Sequence, residues 1–61
     1  MIKVECISTD SNMQLIVGEI YYIDIMSLYG DADGSWYVSV IEFDTGLTLG
    51  RYDLCHFKSI L

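Results

Sequence analysis

Cys6, Cys55 and His56 are the side chains of this chain whose types first suggest chemistry, because thiolate and imidazole are the favoured zinc donors and Cys with His makes a nucleophile and base. Two cysteines and one histidine supply only three ligands, where a structural zinc site uses four. Adjacent residues on a strand point to opposite faces, so Cys55 and His56 converge only if a 3₁₀ turn rotates them. Nucleophilic catalysis would also need an orienting third group and an oxyanion site in a cleft. The expectation is therefore a buried Cys and a surface His, with no catalytic residue, no metal and no cofactor. The cysteines form no C-x-x-C pair and read as two buried, reduced thiols, although a bridge is conceivable if the first and last strands are neighbours.

Asp31, Asp33 and Gly34 place carboxylates around a bend, as a calcium loop would. With Gly34 at the sixth position of an EF-hand frame, however, Val40 stands where a bidentate Glu is required. Residues 30 to 35 read as a turn. The stronger pattern is aromatic: eight rings make up 13% of the chain. A domain of this size buries only about 60% of its surface, leaving about 4,000 Å² exposed, so these rings cannot all be hidden together with the Ile and Leu side chains. Tyr22, Tyr29, Trp36 and Tyr37, beside Asp31 and Asp33, are the predicted partner-binding residues, since Tyr, Trp and Met are enriched in interface cores.

Sixty-one residues allow one domain, residues 1–61, and 52% hydrophobic composition is too apolar for a disordered tail. Three basic residues against nine acidic ones give a net charge of −6, which excludes a nucleic-acid binder that tracks phosphates. The acidity serves solubility, or it steers the chain toward a protein with a basic surface; the sequence leaves both open. Residues 1 to 10 carry no apolar signal region and no run nears the ~20 residues of a membrane span, so the expected location is the cytoplasm.

The elements that must position these residues are strands. Ile2, Val4 and Cys6 alternate with Lys3 and Glu5, which predicts a strand over 2–7, followed by a polar loop over 8–12. Glu19–Met26 predicts a second strand and Trp36–Phe43 a third, both β-branched and aromatic. Asp44, Thr45 and Gly46 predict a hairpin loop into a short fourth strand that begins at Leu47–Leu49. Residues 50–55 could hold one helical turn before a fifth strand over 56–61. Strands two and three are apolar on both faces, and one face of each is left to form an exposed patch or a subunit contact. The expected fold is all-β, a small five-stranded antiparallel barrel.

The order of these landmarks resembles an SH3-like barrel. Leu15 to Tyr21 looks like its diverging turn, the Gly30–Gly34 loop stands at the n-Src position, Asp44–Gly46 looks like the distal hairpin, and Leu54–Phe57 resembles the 3₁₀ turn and last strand. The long first loop and aromatic motif of peptide-binding members are missing, and the chain looks more like the short SH3-like proteins of phages and mobile elements of Firmicutes. That resemblance implies a non-catalytic accessory protein that binds and inhibits or modulates a host protein, such as a defence protein. Two alternatives stay open. One is a homo-oligomer that sequesters a nucleotide-like ligand, with Lys3, Arg51 and Lys58 converging by symmetry. The other is a proline-peptide reader using Trp36, Tyr52 and Phe57.

Overall fold

The computed structural model describes residues 1–10 and 12–60. Ser11 of the predicted polar loop and Leu61 of the predicted last strand lie outside them. Five strands form one antiparallel sheet: β1 (Ile2–Cys6), β2 (Ile20–Gly30), β3 (Trp36–Glu42), β4 (Thr48–Asp53) and β5 (Phe57–Ser59), in the spatial order β4-β3-β2-β1-β5. A 3₁₀ turn, Leu54–His56, joins β4 to β5. The all-β class is as expected. Closure is not: β4 and β5 stand at opposite edges with no ladder between them among the described residues, so the sheet is open.

Period-two alternation builds the core and decides which face of β2 and β3 turns inward, which the sequence left open. Val4 and Cys6 from β1, Tyr21 and Ile23 from β2, Val38 and Val40 from β3, and Phe57 from β5 project to one face and are buried, with Leu15 of the connecting loop against them. Tyr21 meets Phe57 edge-on at 6.5 Å, and its hydroxyl accepts the Ile16 N–H at 3.0 Å, so one ring serves core and loop together. The loop closes in a turn where Gly18 holds φ +92°, a conformation costly for any side chain. The Gly18 N–H bonds the Cys6 carbonyl at 2.8 Å and locks this turn to the end of β1.

Two strands run further than expected. β2 continues past Met26 to Gly30, and β4 continues through Asp53, so the helical turn is confined to Leu54–His56. Irregular pairing interrupts β2 where its extension begins and β4 near its start, and it blurs alternation there. Between the pairs Asp24↔Ser39 and Tyr29↔Tyr37, four residues of β2 oppose Val38 alone. Ser27 stabilises this bulge: its hydroxyl donates to the Asp24 carbonyl and accepts the Ser39 N–H at 2.8 Å. Between Val40↔Gly50 and Ile41↔Thr48, Leu49 is the extra residue, beside Gly50 at φ +142°.

The thiols differ from expectation. Cys6 is buried and its Sγ–H donates to the Ser8 carbonyl at 3.4 Å, whereas Cys55 on the 3₁₀ turn is exposed, and both are free. His56 is not the surface residue that was expected: its side chain is only 13% exposed. A turn rather than a strand carries this pair, so the neighbours swap the environments that alternation assigned to them. Among the described residues no helix is long and apolar enough to cross a membrane.

Candidate interaction surface

Five of the six predicted binding residues gather at one end of the sheet. Tyr29 pairs with Tyr37 and Gly30 with Trp36 at the last rungs of the β2–β3 hairpin, and the connecting turn carries Asp31 and Asp33. The turn is built by Asp31, whose Oδ1 accepts the N–H of Asp33 at 2.9 Å and of Ser35 at 3.2 Å, while Gly34 supplies φ +87°. That wiring explains the spacing of the two acids without calcium. Trp36 lies flat against Gly30: a Cβ there would meet its ring at 2.9 Å, so only glycine leaves room for this ring position.

This end is apolar and open. Tyr29 is 57% exposed and Trp36 53%, while Met26, in the bulge before these rungs, is 90% exposed. Met26 stands out because the bulge breaks the pairing of β2, and its N–H is satisfied by Asp24 Oδ1 at 3.1 Å rather than by a neighbouring strand. The surface therefore offers side chains rather than a free backbone edge at that position. Met26 was legible only as the apolar end of the second strand; its prominence depends on a bulge that alternation does not show.

Tyr22 belongs elsewhere. It lies opposite Lys3 on β1 and Ile41 on β3, stacks on Phe43 with centroids 5.2 Å apart, and is half-buried. The Lys3 ammonium sits 5.2 Å from the Phe43 centroid, so this patch of the outer face is covered by the protein's own side chains. The structure does not bring Tyr22 to the hairpin end. Nor does it form the groove of Trp36, Tyr52 and Phe57, because Phe57 is buried in the core and Tyr52 packs half-buried against it. Lys3 on β1 and Lys58 on β5 are separated from Arg51 on the far edge strand β4.

Beside Trp36 runs an open cleft of about 420 Å³, lined also by Gly34, Ser35, Asp53, Leu54 and Cys55. Asp53 caps the 3₁₀ turn, its Oδ1 accepting the Cys55 N–H at 2.9 Å, and this bond, with help from the Cys55 thiol, holds the carboxyl below the usual carboxylate range. In return the Asp53 hydrogen bond, then burial and the negative charge, push the Cys55 thiol up, away from the thiolate a nucleophile needs.

Sequence reasoning missed one cluster. Ser8 Oγ lies 3.0 Å from His56 Nδ1, and Asp10 Oδ2 lies 3.8 Å from His56 Nε2. The Ile7 N–H also bonds the His56 carbonyl at 2.8 Å. Ser8 and Asp10 were read only as loop formers, because nothing local connects them to a histidine at the other end of the chain. The Asp10 contact exceeds hydrogen-bond reach and Asp10 is exposed, so the cluster reads as a tether between the loop and the 3₁₀ turn. Among the described residues no group of three His, Cys, Asp or Glu side chains could hold a metal ion.

These features define an open, all-β sheet with an apolar and acidic hairpin end. Comparison with protein-family models, characterised proteins and solved structures finds no match to this chain.

Proposed function

We propose that this chain is a non-catalytic interaction module, a phage-derived accessory protein that binds a basic surface of a host protein in the cytoplasm and inhibits or modulates it. The observation that carries this reading is the β2–β3 hairpin end, where Tyr29 on one face and Trp36 on the other stand exposed at the rungs next to the turn that carries Asp31 and Asp33. Exposed Trp and Tyr are the side chains that dominate interface energies, and carboxylates around them select a cationic partner and speed its approach. The net charge of −6 acts in the same direction. An SH3-like relationship is supported by the strand order β4-β3-β2-β1-β5 and by the 3₁₀ turn placed directly before β5.

The test is affinity capture from host lysate with the wild type, Trp36→Ala and the double variant Asp31→Asn/Asp33→Asn, run together at low and high salt. A partner retained by the wild type at low salt, and lost with Trp36→Ala and at high salt, is the expected result. Recovery of nothing at low salt, or equal recovery by all three proteins, would overturn the reading.

A further inference from the structure

β2 outruns the strand beside it. The β1 ladder ends at Ile2↔Ile23, whereas β2 continues to Gly30, so among the described residues no strand pairs with Asp24–Gly30 on the side away from β3. Within this stretch the Met26 N–H is taken by the Asp24 carboxylate, but past the bulge regular pairing with β3 resumes. The Asp31 N–H bonds the Ser35 carbonyl at 2.9 Å, and bonded and non-bonded pairs alternate along an antiparallel ladder, so Tyr29↔Tyr37 is a bonded pair and Gly30↔Trp36 a non-bonded one. Gly30, and Leu28 two residues before it, therefore turn their N–H and C=O groups to the open edge.

Native sheets commonly guard such an edge with lysine or proline. Residues 25–30 contain neither, and Ile25, Met26, Leu28 and Tyr29 are all exposed. Tyr29 stands on one face, and Leu28 with Trp36 on the other, so alternate side chains of a strand laid along this edge meet apolar neighbours on both faces. The charge here is of one sign. No Lys, Arg or His lies between Lys3 and Arg51, while Asp24 and Asp31 adjoin the two ends of residues 25–30. Each gives its Oδ1 to nearby backbone N–H groups, yet at about 3.3 Å of rise per residue each lies within a Debye length, ~8 Å, of one end of an added strand. The outer edge of the sheet at β4 differs, since it carries Arg51.

We infer that the edge Leu28–Gly30 accepts an extended cationic segment of the partner as an added β-strand. The inference rests on the reading of the hairpin end as an interaction surface and states how that surface is used. Leu28 and Gly30 supply the backbone bonds, Tyr29 and Trp36 pack against alternate side chains, and the flanking carboxylates select Lys or Arg. Charge complementarity selects this occupant over a second copy of the chain, which would bring the same acids to the edge and a net charge of −6 against another −6.

The experiment titrates the intact chain with three end-capped heptapeptides: one alternating Lys and Val, the same peptide N-methylated at its internal residues, and one alternating Glu and Val. Calorimetry gives affinity, amide NMR with hydrogen exchange gives location, and native mass counts copies. Expected are one-to-one binding of the Lys peptide and new protection of the Leu28 and Gly30 amides. The N-methylated peptide, which keeps charge and side chains but has lost its backbone donors, should bind at least about tenfold more weakly, and the Glu peptide should not bind. Leu28→Pro, which removes an edge N–H without touching the β3 ladder, should weaken the Lys peptide severalfold; the N-methylated peptide carries the test if that variant does not fold. Equal affinity for the methylated and unmethylated peptides, with shifts still centred on Trp36 and Asp31, would overturn strand addition and leave the interaction surface standing. Protection confined to β4, or a dimer formed through Leu28 and Gly30 in place of the peptide complex, would overturn it as well. Failure of the Lys peptide to bind at all, or equal binding of the Glu peptide, would remove both readings.

Discussion

The two thiols carry opposite chemistry although both are pushed up from the ordinary thiol range. Burial does this for Cys6, whereas for exposed Cys55 the leading cause is the Asp53 hydrogen bond. A disulfide reagent should therefore titrate one thiol in the native protein and the second only in denaturant, and Asp53→Asn should speed the first severalfold by removing the neighbouring charge. Two fast native thiols would contradict the burial of Cys6. Asp53 has its own pH signature. A carboxyl held below its unfolded value adds stability above that value and loses it as pH falls through the lowered folded one. Acid titration of the fold should thus show a component at the bottom of the carboxylate range that Asp53→Asn abolishes.

At the scale of elements, the informative parts are the irregular ones. The Ser27 hydroxyl fills the gap in the β2–β3 ladder, accepting from one strand and donating to the other. Ser27→Ala leaves those backbone groups without this partner and should cost about 1–3 kcal/mol, read as a lowered midpoint in urea. Gly30→Ala should act first on Trp36, since Gly30 has no positive φ and the nearest atoms its added methyl meets are those of the indole. The single Trp makes that displacement visible as a shift in fluorescence emission, with far-UV circular dichroism unchanged. An unchanged emission spectrum would mean that the ring does not rest on Gly30. The strand centres and both glycine turns were legible because alternation and turn chemistry are local. The bulge at 25–28 was not, because it is defined by how few residues of β3 lie opposite it.

For the molecule as a whole, the surface of 4172 Å² is close to the about 4,000 Å² expected for this mass, so its exposed aromatics do not reflect an expanded chain. Stability is narrow. At 0.05–0.15 kcal/mol per residue, a domain this small holds roughly 3–9 kcal/mol, and its fully buried side chains are chiefly Val38, Val40 and Cys6. Val40→Ala should remove about 2 kcal/mol, a large part of the total. Ile16→Ala, at an exposed loop position, should stay within about 0.5 kcal/mol. Urea unfolding of the two variants side by side checks the contrast.

By itself the sequence determined an all-β chain, the sites of its strands and turns, the alternation of Ile2, Val4 and Cys6 with Lys3 and Glu5, and a surplus of apolar side chains, while leaving open which face of the second and third strands turns inward. Each follows from period-two alternation, glycine placement or composition, which short-range physics fixes. Only the tertiary structure decided which apolar residues remain outside, among them Trp36 and Tyr29 at the hairpin end and Met26 in the bulge, with Tyr22 half-buried against Phe43. It alone joined Ser8 to His56, left β4 and β5 without a ladder between them among the described residues, and opened a groove between Ile2 and Leu54. Those outcomes depend on pairings between residues far apart in the chain and on a three-residue bulge mismatch, and neither leaves a periodic trace for a sequence to show.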